Sequence, residues 1–435
     1  MPYVKQTPKI QNSINNIGAY FRNFRINDGI SLTYVAESIH MNKGFLSDLE
    51  NGKRHFPEGT IQQLNDFYGT EFKEDKKLYN ELCDLLDHAF NTLFIAHSKE
   101  ETIILKKAMQ NANIYENSST YFVFQILKYH YYLRIEKNND KLVTIQDTIE
   151  SNLDALSLQH LTYFYCLIGI YYKRNNSTIY KAEKYLNKSI ELSSSNSITY
   201  AYSIFQFISL YARTNRIALA YTYCEKARNV FTRLNNYTTM FYIDFFQSNC
   251  LIGMKLYDLA IEKLSMLLNN IEHTNKENVA KIHHSLAWCY LLNGQYNNCI
   301  EETHQAYTYG DTSSDTSSDL SYFIPYSYYK MNEHLKCLDY MDTHSDHTNN
   351  FFKPFFKAIA CRIQKENTQF EKYITYFYIS LLKNNMFEEI PLIQDFILNY
   401  YKEIDNRDMM IKILLDIKAL KDKDLTFSTS HLNIN

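Results

Sequence analysis

The chain has 435 residues, a formal net charge of −3, 45% hydrophobic residues and 21% charged residues. That length exceeds one ordinary core, so several domains or a repeat array are expected, and the balance excludes wholesale disorder. With only 10 Gly and 6 Pro, the turns of Rossmann folds, barrels and sandwiches cannot be supplied, and the expected class is all-α.

No apolar run is long enough to span a membrane, and the opening MPYVKQTPKIQNS lacks the apolar stretch of a secretion signal, so a cytoplasmic protein is expected. The eight cysteines form no CxxC pair and fit buried, reduced thiols. GxxxxGK[ST], GxSxG, HExxH and GxGxxG are all absent, so no enzyme activity, cofactor or metal is expected.

In chain order, residues 1–13 read as a polar arm. Residues 14–69 read as four or five short helices with tight turns, and they hold six of the ten glycines. Ile17, Phe21, Phe24, Val35, Ala36, Ile39, Phe45, Leu46, Leu49, Ile61 and Leu64 fall at helical spacing and make a small core. Ser31 and Asn42 suit N-caps of the second and third helices, Gly52 the stop of the third, and Pro57 the first turn of the fourth. Residues 71–112 read as linker helices, and 113–435 as a repeat domain.

The repeat shows as a tyrosine or leucine near the end of one helix, then a small residue about nine positions on. Tyr211–Ala220–Cys224–Ala227, Leu251–Ala260–Leu264–Leu267 and Tyr290–Cys299–Thr303–Ala306 carry it, with looser versions at Tyr172–Ala182–Leu186 and Tyr328–Cys337–Met341. The small anchors at 182, 220, 260, 299 and 337 are 38, 40, 39 and 38 residues apart. A period near 39 with two helices per unit describes a helical solenoid, in which a small residue at the crossing lets the helices approach. The spacing resembles tetratricopeptide repeats with a lengthened period, which implies a right-handed array. The run GDTSSDTSSDLS at 310–321 reads as a solvated loop.

Residues 17–69 resemble the λ repressor/Cro type of helix-turn-helix domain throughout. IGAYFRNFRINDGI matches its first helix and turn, SLTYVAESIHM its second helix, NKGFLSDLENGKRHFP its third helix and the loop after it, and GTIQQLNDFYG its fourth. The resemblance makes the third helix the recognition helix, with Asn42, Lys43, Gly44, Ser47 and Asp48 at the groove. Lys43 can donate to guanine and Asp48 can accept from a cytosine amino group. Ser31, Thr33, Lys53, Arg54 and Arg22 are expected at phosphates. Arg25 and Glu50 match an internal ion pair of this family. His40 stands where the family has a turn glycine, and Gly44 replaces a longer polar side chain. Residues 1–70 hold seven Lys/Arg against six Asp/Glu, a net +1, so a dimer on two half-sites of an inverted-repeat operator is expected.

Such a domain joined to a tetratricopeptide-like array resembles the cytoplasmic peptide-pheromone receptors of Gram-positive bacteria, the Rgg/PlcR/NprR group. The resemblance implies a homodimeric quorum-sensing transcription regulator whose concave repeat surface binds a short linear peptide. Counting from the anchors turns inward Tyr202, Gln206, Ser209 and Arg213, then Tyr242 and Asn249, then Lys281, His284 and Trp288. Gln125, Lys128 and Tyr132 join them from the first unit, and Tyr322 and Tyr326 from a later one. Amides suit peptide backbone, aromatics its side chains, and Arg213 or Lys281 its carboxylate. A second reading from another class is an adaptor whose array docks a signalling protein, with DNA binding secondary.

Overall fold

Helices make up the described part of the chain because its apolar residues recur at helical spacing and glycine and proline are few. The structure, a computed structural model, describes residues 16–92, 99–174, 178–236, 239–271, 275–310, 321–344, 350–384, 386 and 388–416. The polar arm and nearly all of the 310–321 run lie outside these residues. Among the described residues there is no strand, only an isolated parallel bridge between Lys73 and Ser118. The chain divides into two compact units, Met1–Gln206 and Phe207–Asn435.

The first unit opens with α1 (Asn16–Asn27), α2 (Leu32–Ser38), α3 (Lys43–Glu50) and α4 (Thr60–Tyr68). The Ser31 side chain accepts from the Tyr34 amide, and that of Asn42 from the Gly44 and Phe45 amides, so both caps fall where expected. The α2–α3 turn is closed by His40 at φ +54, the left-handed position that the resemblance assigns to glycine. Pro57 is not in the first turn of α4. It lies in a preceding turn, where its carbonyl accepts from Thr60, and Gly59 at φ +79 is the N-cap.

These four helices share a core with the next stretch of the same unit. It comprises α5 (Lys76–Thr92), α6 (Lys99–Gln110), α7 (Ala112–Glu116) and α8 (Tyr121–Tyr131), which runs into a π-helical turn, Tyr132–Glu136. Then come α9 (Asn139–Glu150), a 3-10 turn at Leu153–Ala155, α10 (Leu158–Lys173) and α11 (Ile179–Leu192). The Tyr20 ring of α1 lies 4.5 Å from Phe72 and 5.4 Å from Tyr121, and the buried cluster continues through Leu86, Phe90 and Phe122 to Tyr202. Arg22 donates to Asp154 at 2.5 Å and to Asn152 at 3.0 Å, Asn152 donates to Asn23 at 3.3 Å, and beside the bridge the Lys73 amide donates to the Asn117 carbonyl while the Lys73 carbonyl accepts from the Ser119 amide. The helix-turn-helix head is thus packed and hydrogen-bonded onto the first repeat.

The chain continues with α12 (Ile198–Arg213) and α13 (Ile217–Arg233), then α14 (Met240–Gly253) followed by α15 (Tyr257–Asn270), and α16 (Lys276–Leu292) followed by α17 (Tyr296–Tyr309). It continues with α18 (Phe323–Lys330), α19 (His334–Thr343), α20 (Lys353–Gln364), α21 (Asn367–Asn384) and α22 (Ile390–Glu403). All five small anchors, Ala182, Ala220, Ala260, Cys299 and Cys337, are 0% exposed, as a helix crossing requires. Gly169 of α10 is closer still: a Cβ there would sit 2.6 Å from the Leu186 side chain of α11.

The residue that marks the end of each first helix also has a backbone reason. Arg216 N donates to Tyr211 O at 2.8 Å, and Leu256 to Leu251, Gln295 to Tyr290, Glu333 to Tyr328, Glu366 to Cys361 and Asn406 to Tyr401 repeat it, each at 2.9 Å. Between donor and helix, Asn215, Lys255, Gly294, Asn332, Lys365 and Asp405 all have positive φ. This is the Schellman C-cap, recurring at the end of α12, α14, α16, α18, α20 and α22, with a further one at Asn235 after α13.

Candidate DNA-reading face and candidate ligand surface

At α3 the caps and the buried Leu46 and Leu49 hold the helix so that Asn42, Lys43 and Gly44 are exposed at its N-terminal end. Lys43 and Lys53 are exposed and have no ion-pair partner among the described residues. Asp48 and Arg54 are committed to each other at 3.1 Å, and the Arg54 guanidinium lies 5.1 Å from the centre of the Phe45 ring. Ser47 receives the Asn51 amide on its carbonyl at 2.7 Å and on its hydroxyl at 3.4 Å. Ser31 is engaged as the α2 cap, and Thr33 beside it is half-buried. A Cβ at Gly44 would meet the Asn42 side-chain oxygen at 3.2 Å, so the glycine leaves the cap undisturbed.

Arg22 is placed otherwise than expected. Its bond to Asp154 and further bonds to Asn152 and the Glu50 carbonyl spend the guanidinium inside the unit, away from a phosphate role. The partner lies 132 residues along the chain, and no local pattern announces it. Arg25 and Glu50 form the internal pair that the resemblance assigns, with bonds of 2.8 and 2.7 Å and a Glu50 side chain only 4% exposed.

The residues expected on the concave surface separate into two groups. In the first unit Gln125 and Tyr202 are buried, Lys128 binds Glu116 at 2.6 Å, and Gln206 accepts from Lys173. In the second unit Tyr322 and Tyr326 are buried among Phe352, Phe355 and Phe396. Tyr202, Tyr322, Tyr326 and Gln125 therefore serve the core: at those points the inward helix face packs on its neighbour and offers no open side. Half-buried positions remain at Tyr242, Asn249, His284 and Trp288. Asn249 has no side-chain partner among the described residues. His284 and Trp288 both pack on Phe323, at 5.8 and 5.5 Å, and burial pushes the His284 imidazole down to about 4, leaving it neutral. Lys281 pairs with Glu277 at 2.5 Å, and desolvation lowers the Arg213 pKa. On the same helix as Asn249, Gln247 gathers Arg228, Glu225 and Lys263 into one polar network joining α13, α14 and α15. Sequence patterning gave no sign of this network, because its members lie on three helices.

The fold and these faces define a class: a helix-turn-helix head fused to a degenerate helical-repeat array. Residues 16–75 match a family model described as a helix-turn-helix domain. No protein of curated function matches the sequence. Among solved structures, a Rap protein complexed with competence and sporulation factor is similar at 12% identity and TM-score 0.63, over 80% of this chain and 99% of that one. The Rap conjugation gene regulator of plasmid pLS20 in complex with the Phr* peptide is similar at 13% identity and TM-score 0.52, over 80% and 97%. Aspartyl phosphate phosphatase F from Bacillus subtilis is similar at 14% identity and TM-score 0.52, over 78% and 94%. These likenesses establish the fold. Since a phosphatase shares it, the fold by itself does not separate regulators from enzymes. Among the described residues no cluster of three His, Cys, Asp or Glu could hold a metal, and no helix is long and apolar enough to cross a membrane.

Proposed function

We propose that the chain is a cytoplasmic transcription regulator that binds duplex DNA through α3 and is controlled by a short linear signalling peptide on its repeat domain. The observation that carries the reading is the exposed, unpartnered Lys43 at the capped N-terminus of α3, within a matched helix-turn-helix domain. In such domains this position meets base edges in the major groove. Lys53 and Arg54 then serve phosphates, with Ser47 and Asp48 beside the bases.

Two relatives in fold support the peptide half of the reading, one of them complexed with a peptide. Asn249 is the backbone-holding residue of the proposed site, because a half-buried amide without a partner is suited to a peptide group. Trp288 and His284 with Phe323 provide an apolar seat, Tyr242 extends it, and Arg213 or Lys281 faces the carboxylate. The active form is a homodimer on an inverted repeat, since a head of net charge +1 neutralises few phosphates alone.

The test uses the full chain with an operator selected from random duplexes and peptides selected from a library. Lys43→Ala is expected to weaken operator binding by about 1–3 kcal/mol. Peptide affinity is then titrated with and without operator DNA. Linkage requires the two values to differ if peptide controls DNA binding. Equal values would dismiss peptide control and favour the array as a docking platform for a signalling protein.

A further inference from the structure

Helical spacing counts Phe45 into the core of the head, but the structure leaves it half-buried and apart from the cluster that holds Tyr20, Phe21, Leu46 and Leu64. The residue lies in the first turn of α3, between Gly44 and Leu46. On that helix Leu46, Leu49 and Glu50 are buried and mark the inner side. At helical spacing Gly44 and Asp48 fall on the opposite side, with Lys43 and Ser47 on one flank of them and Phe45 on the other. Phe45 therefore borders the face proposed to read DNA.

Among the described residues the one ring contact of Phe45 is the Arg54 guanidinium, 5.1 Å from the ring centre. Arg54 follows α3 in the chain and is held a second time, by its Nε donating to the Asp48 carboxylate at 3.1 Å. The side chains of Arg54 and Asp48 are 57% and 34% exposed, so the pair contributes little to stability. Its effect is on position. The guanidinium is kept over the ring, and the carboxylate on the outer side of the helix is neutralised where phosphates would approach. Gly44, exposed and without a side chain, adds no bulk beside the ring.

We propose that Phe45 is a base-reading residue, packing on the methyl group of a thymine in each half-site. The inference rests on the DNA-binding reading given above and adds to it a base that the head selects. Thymine alone among the bases offers an apolar group in the major groove, and phenylalanine is among the side chains that contact it. A ring kept partly in water gains burial when that methyl covers it. The N-terminal part of a recognition helix is the part that reaches base edges, and Phe45 is within its first turn. With Lys43 donating to guanine, the face reads two bases through two kinds of contact. Arg54 remains the phosphate contact, resting on the same ring.

The experiment uses the full chain and an operator selected from random duplexes, with each thymine replaced in turn by deoxyuridine, which lacks only the methyl group. Fluorescence anisotropy titration is expected to find one thymine per half-site whose methyl removal weakens binding by about fourfold, the equivalent of ~0.8 kcal/mol. Phe45→Ala and Phe45→Gln should bind the thymine and deoxyuridine duplexes equally, and the second variant carries the comparison if the first does not fold. Phe45→Leu should keep part of the preference. Arg54→Gln should weaken both duplexes alike, lower the salt slope by about one and keep the methyl preference. The inference is overturned if no thymine methyl matters to the parent chain, or if Phe45→Ala and Phe45→Gln keep its preference. It is also overturned if Arg54→Gln abolishes the preference, which would leave Phe45 only a support for the guanidinium. Each of these results leaves the DNA-binding reading standing as long as Lys43→Ala weakens operator binding. Failure of the parent chain to select any operator would overturn that reading and the role of Phe45 with it.

Discussion

Glu50 has a carboxylate taken out of water and held by two donors from one guanidinium. Removing the donor leaves a buried charge with much of its compensation gone, so Arg25→Ala is expected to cost about 3 kcal/mol in urea denaturation. The double replacement Arg25→Met with Glu50→Leu should cost much less, since nothing is then stranded. His160 acts on stability through protons. Burial pushes its imidazole from 6.5 down to about 4. Between those values the unfolded chain binds a proton that the folded chain refuses, so stability falls as pH drops through this window and is insensitive to this group above it. The expected loss is about 3 kcal/mol, and His160→Gln should flatten the difference between melts at pH 6.5 and pH 4. At this scale the legible residues were the local ones. Ser31, Asn42, His40 and the Arg25–Glu50 pair follow from cap chemistry, turn geometry and a motif whose parts lie within 25 positions. Arg22 read as a phosphate contact because its partners, Asn152 and Asp154, are distant in sequence.

Among the elements, the recurring C-cap explains why a period near 39 was visible at all. The left-handed residue, the donor after it and the acceptor at 211, 251, 290, 328, 361 and 401 impose a fixed punctuation on otherwise variable helices. Lysine is poorly suited to that punctuation. Exposed Lys255 at φ +62 carries the steric cost of a Cβ there, so Lys255→Gly should stabilise the chain by about 1 kcal/mol in a urea melt. Gly294→Ala should move stability the other way, at φ +75. The π turn was not legible: Tyr132–Glu136 has the composition of ordinary helix, and the groups bonded to it, Glu101 at Arg134 and Arg174 at the Leu133 carbonyl, are distant in sequence. The Pro57 misplacement is of the same kind, because a proline fits a turn as well as a helix start.

For the whole molecule, the class and the order of parts followed from composition, the head motif and the repeat, all of which survive in one dimension. Which inward residues stay open did not, because helix-face counting assigns direction without saying how closely the next helix packs. Tyr202, Tyr322 and Tyr326 show the difference: each is on the counted face and each is enclosed. A head with net charge +1 leads to the expectation of a dimer, and light scattering at micromolar concentration should give twice the 51.6 kDa chain mass. A monomer under those conditions would remove the two-half-site arrangement.

The contacts of Arg22, Asn23 and Lys73 bear on which operators such a dimer tolerates. A reading head on a loose tether can find its half-site across a range of separations, since the tether absorbs the mismatch. Here α1 is clamped to Asn152 and Asp154 and the segment after α4 is pinned beside Ser118, so the head has little slack of its own. Inserting about five base pairs between half-sites turns one of them to the opposite side of the duplex. On the proposed function, the clamp limits how far each head can follow that change, and the expected result is weaker operator binding when the spacer is altered.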